Sequence, residues 1–360
     1  MLIKNIFLKL NNFIKIIFFI ILITVLIFLV MEIAARKKFN SYTKGSCSTI
    51  KISKESSLKI PEGNCEILVK HWENKKEIIY KTDKKGNRES TLPVDLNNNL
   101  ISIAFFGDSF TWGDMNSADE NYTHYAVSEL NNIKAGYTNF GVPGYNLAQV
   151  LERMKITDLK KYNYIIYGLT PNDLFSPQSI SINKEKKIET FNEIKKKNSI
   201  DIIKEKIRKH SIRSIKVAGK IFFDIFPEIY ISLYTARDPN LAGYLSVNSS
   251  SYWNKRYQEF FDILNNLDSS IKKKLIIQLI PQRVQVLLYK KGDLARSLAF
   301  ENRIVLMCEK LDIKCNHSQL TELSNLEQSH FTIDGHFTPS ANKVLGKGLS
   351  RFVSNVINVN

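Results

Sequence analysis

The chain has 360 residues, 44% of them hydrophobic, which is enough for one large domain with attachments and too apolar for a disordered chain. Its formal net charge is +16, but the lysines are spread among many Ile and Asn, with no RNA-binding or helix-turn-helix pattern beside them. That excludes nucleic acid as the expected partner and leaves an anionic membrane surface or an acidic glycan as the natural target of the charge.

The N-terminus stands apart. Ile16–Met31 is uncharged and almost wholly apolar; Phe13 and Ile14 extend it beyond Lys15, and Ile33, Ala34 and Ala35 beyond Glu32. A helix needs about 20 residues to cross the hydrocarbon, so Phe13–Ala35 suffices if Lys15 and Glu32 snorkel at the two faces. A cleaved signal peptide is the competing reading, but the run is long for one and no small-x-small site precedes Arg36-Lys37-Lys38. The expectation is a cytoplasmic tail and retained transmembrane anchor over residues 1–36. Lys4, Lys9 and Lys15 balance Arg36, Lys37 and Lys38, so charge does not set the orientation. Cys47, Cys65, Cys308 and Cys315 fall into two local pairs. Two disulfides would suit an oxidising, extracytoplasmic compartment, and four buried thiols are the alternative. Neither pair has zinc-site spacing, and no metal or organic cofactor is expected.

Residues 37–98 are polar, with short β-like runs such as Glu77-Ile78-Ile79-Tyr80 and a turn at Lys84-Lys85-Gly86-Asn87. They read as a small irregular or β-rich membrane-proximal segment. From residue 99 to 360 strands and helices alternate. Strands are expected at Leu100–Phe106, Thr138–Phe140, Tyr164–Tyr167, Leu275–Ile280 and near Ile313, and helices at Tyr122–Leu130, Leu147–Met154, Tyr252–Leu267, Leu294–Leu311 and from Pro339 to about Val356. The fold class is therefore α/β, a three-layer sandwich on a parallel sheet, behind one transmembrane helix. An insertion at about 176–250 interrupts the alternation. Within it Lys184–Lys216 has Ile202, Ile203, Ile207, Ile212 and Ile215 near helical spacing, a basic amphipathic helix either packed on the domain or lying on a membrane.

Four segments carry chemistry. The first strand ends in Gly107-Asp108-Ser109, which places a serine where a sheet gives way to a helix, exposed on a rigid support. Alone, this is also what an ordinary strand-end turn looks like. Asn139-Phe140-Gly141-Val142-Pro143-Gly144 follows the second strand, Gly168-Leu169-Thr170-Pro171-Asn172-Asp173 the third, and Asp334-Gly335-His336 precedes the last helix. An unactivated serine needs a base within reach, and His336 with Asp334 supplies one. Trp112 is a candidate wall of an acyl or sugar pocket, with packing against the next helix as its plain alternative, and Arg283 or Gln285, after Ile280-Pro281-Gln282, a candidate substrate contact, with a salt bridge or a cap as the plain alternative. His71, His124 and His330 sit in no such segment and read as surface or structural.

Taken together, these segments and their order resemble the SGNH (GDSL-type) hydrolases, with a flavodoxin-like sheet, from about residue 100 to the C-terminus without the insertion. The resemblance makes Ser109 the nucleophile, His336 the base and Asp334 its orienting acid. It makes the Ser109 and Gly144 N–H groups and the Asn172 side chain the oxyanion donors, with Asp108 shaping the turn beside the substrate. It implies a membrane-anchored esterase acting on O-acyl, including O-acetyl, esters of an envelope glycan or lipid-linked sugar. An O-acyltransferase using the same residues and a non-catalytic glycan-binding module are the alternatives. Two departures from the family pattern stand out: Asp-x-His replaces Asp-x-x-His, and Thr170 stands where a glycine is usual.

Overall fold

The computed structural model describes residues 2–45, 47, 49–51, 58–95, 101–130, 133–175, 213–237, 242–248 and 250–359. Helix α1 (Leu2–Lys38) contains the apolar stretch Ile17–Lys38, long and apolar enough to cross a membrane and with none of it buried. Short strands follow: β1 (Tyr42–Lys44), β4 (Glu66–Lys70) and β5 (Glu77–Lys81) form an antiparallel sheet, and β2 (Thr49–Lys51) pairs with β3 (Lys59–Pro61). Cys47 and Cys65 are disulfide-bonded across this segment, as are Cys308 and Cys315 in the main domain.

The main sheet has five parallel strands: β6 (Ile101–Gly107), β7 (Ala135–Asn139), β8 (Tyr164–Leu169), β9 (Leu275–Leu279) and β10 (Lys314–Asn316). Their order is β10-β9-β8-β6-β7, the flavodoxin-like arrangement that the resemblance implies, on the parallel sheet expected from the alternation. Strict two-residue alternation sorts the strand side chains into two cores. Ala104, Phe106, Ile165, Tyr167 and Ile277 face one layer of helices, and Ile103, Phe105, Ile166 and Ile276 face the other. On the first face lie α4 (Leu147–Lys155), α8 (Ser251–Asn265) and α12 (Ala299–Leu311); on the second lie α3 (Tyr122–Ser128) and α14 (Pro339–Val359).

The strands and most helices lie where the sequence places them, apart from two short unexpected helices, α9 (Ser269–Lys274) and α13 (Leu320–Ser324), and the following. The helix expected over Leu294–Leu311 is two, α11 (Leu294–Ser297) and α12, because the Gln285 side-chain amide takes the Ser297 carbonyl (3.2 Å) at the break. An unexpected helix, α10 (Arg283–Lys290), follows β9; Gln282 caps it, its N–H donating to Gln285 Oε1 (2.9 Å). Most of the expected Lys184–Lys216 helix falls on residues 176–212, outside the described residues. Two further helices, α6 (Arg213–Ile225) and α7 (Pro227–Arg237), come next.

Helix α14 crosses α3 at Gly346. A Cβ there would stand 2.4 Å from Tyr125 Cβ and 2.6 Å from the Tyr122 carbonyl oxygen. In an exposed helix Gly→Ala gains about 1 kcal/mol. Here the overpacking cost of roughly 1–3 kcal/mol should win, so Gly346→Ala is expected to lower the urea midpoint. A raised midpoint would mean the helices do not pack this closely.

Candidate active site

Strand β6 ends at Gly107, and its neighbour β8 ends in register with it, Gly107 opposite Gly168. The chain winds in opposite directions on either side of this pair, which opens a crevice at the carboxyl ends of the strands. Ser109 begins the short helix α2 (Ser109–Trp112), capped by Asp108, whose carboxylate accepts from Phe110 N–H (2.9 Å). His336 comes from the loop before α14, and its Nε2 lies 2.8 Å from Ser109 Oγ. On the other side of the ring, Nδ1 is hydrogen-bonded to Asp334 Oδ1. The shortened Asp-x-His spacing closes because Gly335 takes a left-handed conformation (φ +88°). Phe331 N–H donates to the His336 carbonyl (2.8 Å) and Gly335 N–H to the Phe331 carbonyl (2.9 Å), so the turn brings the carboxylate back onto the imidazole.

The residues expected as oxyanion donors are tied to the same strand ends. Among the described residues, neither the Ser109 nor the Gly144 N–H donates to a protein group. Gly144 lies in the loop after β7, and Val142 N–H fastens that loop to the end of β6 by donating to the Gly107 carbonyl (3.1 Å). A Cβ on Gly144 would meet nothing within 4 Å, so it is the left-handed backbone (φ +79°) that calls for glycine there. Asn172 follows β8 in the helix α5 (Pro171–Leu174). Its Nδ2 donates to Asp108 Oδ2 (2.9 Å), and its Oδ1 accepts from Gln282 Nε2 (3.0 Å). An amide nitrogen has two hydrogens, so one is held by Asp108 and the second remains for a ligand. Thr170, the other departure from the family pattern, is fully buried and donates to the same Asp108 oxygen (3.3 Å).

The charges around His336 are uneven. Burial pulls its pKa down, but the hydrogen bond and charge of Asp334, with Asp114 and Asp108, outweigh burial and push it up to about 9. Asp114 Oδ2 lies 3.8 Å from His336 Nε2, and burial lifts the Asp114 carboxyl to about 6 despite the imidazole. Burial pushes the Asp334 carboxyl up too, and His336 more than reverses that, leaving it below its usual value. Burial also raises Asp108, and raises Asp173 well above the ordinary carboxyl range. A protonated imidazole accepts nothing, so ester turnover should rise with pH through about 9 and level off above it. Asp114→Asn removes a negative neighbour and should move that limb toward neutral pH in a kcat/KM profile. An unmoved limb would leave Asp114 without electrostatic influence on the base.

Three residues at the site carry no local sequence signal. Asp114 follows Gly113 and reads as a turn. Gln282 reads as the residue after a strand stop. Glu73, from the β-rich segment after α1, accepts from the backbone N–H groups of Ile333 (3.2 Å) and Asp334 (2.8 Å) and so holds the loop that carries His336. The same segment holds the loop after α2: Tyr80 Oη accepts from Met115 N–H (2.8 Å), and Arg88 donates to the Asn116 carbonyl (3.1 Å).

The expected substrate contacts are occupied otherwise. Trp112 is buried with Ile78 and Tyr80, and the Arg88 guanidinium lies 5.1 Å from its ring centre. Its ring packs at the junction with the small sheet formed by β1, β4 and β5. Arg283 is buried, donating to the Thr332 carbonyl (3.0 Å), pairing with Asp224 (3.6 Å) and stacking on Tyr230. Asp108 is buried as well, its oxygens taken by Phe110, Thr170 and Asn172. His330 is a buried structural histidine, between Ser329 Oγ and the Pro281 carbonyl. Among the described residues no group of His, Cys, Asp and Glu is arranged to hold a metal ion.

The family model for GDSL-like lipase/acylhydrolase matches residues 103–349, a span that contains Ser109, Gly144, Asn172, Asp334 and His336. The chain belongs to this family. Solved structures similar to it include a lipase/acylhydrolase from Enterococcus faecalis, at 11% identity and a TM-score of 0.41, covering 71% of this chain and 97% of that one. The acetylxylan esterase Axe2 from Geobacillus stearothermophilus is 12% identical with a TM-score of 0.39, covering 70% of this chain and 93% of that one. TesA is 10% identical with a TM-score of 0.40, covering 71% and 99%. No curated protein matches the sequence. Membership in the GDSL family rests on the sequence match and not on these superpositions.

Proposed function

We propose that the chain is a membrane-anchored serine esterase that hydrolyses O-acyl esters, O-acetyl among them, on an envelope glycan or lipid-linked sugar outside the cytoplasm. The observation that carries the reading is the continuous hydrogen-bond chain from Ser109 Oγ through His336 to Asp334. Ser109 Oγ attacks the ester carbonyl as His336 Nε2 takes its proton, and Asp334 fixes the ring tautomer and balances the imidazolium. The Ser109 and Gly144 N–H groups and the second Asn172 Nδ2 hydrogen receive the oxyanion, each donor worth about 3 kcal/mol. The intermediate collapses to acyl-Ser109 as His336 returns the proton to the departing alcohol. Water, deprotonated by the same base, then releases the acid and restores the serine. The apolar α1 supports the anchor, and the two disulfides support an oxidising compartment.

A fluorophosphonate added to the full chain in detergent should label Ser109, and mass spectrometry of the digest locates the adduct. Labelling that disappears in His336→Ala is the expected result. A folded chain that takes no label, or takes it elsewhere, would overturn the reading. Product analysis with and without an acceptor glycan separates hydrolysis from acyl transfer.

A further inference from the structure

Helices α6 and α7 carry a stripe of large apolar side chains open to solvent. Ile215, Ile221, Phe222, Ile225, Phe226 and Leu233 are between 41% and 62% exposed. On α6, Ile215, Ile221, Phe222 and Ile225 fall on one face of the helical repeat, with Phe226 at the junction and Leu233 on α7, and a soluble surface rarely leaves so many apolar groups uncovered. The stripe is continuous with the anchor. Helix α6 packs against α1, where Glu32 accepts from Ser214 N–H (2.7 Å) and Ser214 Oγ (2.9 Å) beside the exposed Ile33. The apolar surface of α1 therefore leads directly onto that of α6. Lys220 on α6 is paired with Asp224 (2.6 Å), and it is the chain's net charge of +16 that suits an anionic surface.

The other side of the two helices touches the active-site elements. Asp224 accepts from Thr332 Oγ1 and pairs with Arg283. A Cβ on Gly219 would lie 3.9 Å from Ile333 Cδ1, next to Asp334. Tyr234 Oη donates to Gln282 Oε1 (2.7 Å), and Gln282 in turn holds Asn172. Thus the apolar pair abuts the loop bearing the base and is linked through Gln282 to the residue offered as oxyanion donor.

We propose that α6 and α7 lie in the headgroup layer of the bilayer that holds α1, so that Ser109 meets its ester at the membrane surface on a lipid-linked substrate. This rests on the anchored-esterase reading and narrows its substrate class.

The full chain reconstituted in phosphatidylcholine–phosphatidylglycerol vesicles provides the test, with lipids brominated either near the headgroup or near the bilayer centre. Phe19→Trp in α1 reports the anchor, Phe222→Trp reports α6, and the fluorescence of the native tryptophans is subtracted. The expected result is that Phe19→Trp is quenched best by the deep bromines and Phe222→Trp by the shallow ones. Quenching of Phe19→Trp alone would overturn the proposal and leave the anchor standing; if Phe222→Trp then emits to the blue, the face belongs to a protein occupant. Quenching of neither would overturn both. In a second arm, Phe222→Glu with Ile225→Glu should keep turnover of soluble p-nitrophenyl acetate while losing at least tenfold on an O-acetylated octadecyl glucoside held in vesicles. Equal turnover of both substrates by variant and parent would refute the membrane role. No turnover of either by the parent would refute the esterase.

Discussion

Ser109→Ala is expected to lower ester turnover by about 10⁴-fold or more while leaving the melting curve in place. The hydroxyl is the reacting atom in the proposed mechanism, and its loss removes one hydrogen bond, to His336, with nothing else built on it. His336→Ala should cost about as much, since a serine without its base is a poor nucleophile. The two act as a unit, so the double variant should be no slower than either single one. Multiplying losses would show that serine and histidine work separately, and a retained rate in Ser109→Ala would move the chemistry to another residue.

Asn172→Ala should reduce kcat by about 10²–10³-fold, the usual cost of one oxyanion donor. The geometry makes this residue more than a donor. Its amide is held from both sides, by Asp108 and by Gln282, so the hydrogen left over has a fixed direction. Removing the side chain also takes away a partner of a buried carboxylate that already sits above its usual pKa. The effect should fall on kcat with KM nearly unchanged, because the oxyanion exists only in the transition state and the intermediate. A loss below threefold would mean that the free Nδ2 hydrogen points away from the reacting carbonyl.

Much of this site could be read from the chain because its parts are locally encoded. The apolar run that stops at Gly107-Asp108-Ser109, and Asp334-Gly335-His336 ahead of a proline-started helix, each announce a strand or helix boundary in consecutive residues. The parallel sheet followed from alternation alone. What escaped was what the folded chain assembles from far apart. Glu73 lies more than 250 residues from the loop it holds, and Asp114 matters only because the turn after α2 returns to His336. Trp112 and Arg283 show the converse error. Both are large side chains with a polar end that fit a pocket wall as well as a core, and only tertiary packing assigned them to the core. The break between α11 and α12 likewise depends on Gln285, a side chain from another helix.

The grip of Glu73 on the Ile333 and Asp334 amides bears on how the chain may be dissected. Trimmed to the start of β6 at Ile101, it would keep the serine, the histidine and every strand of the parallel sheet. It would give up the carboxylate that fixes the base-bearing loop, and the Tyr80 and Arg88 contacts that steady the turn carrying Asp114. Such a fragment should fold and still work poorly. Inheritance of the fold and inheritance of a working site thus have different borders in this protein: the first begins with the sheet, the second where the chain leaves α1.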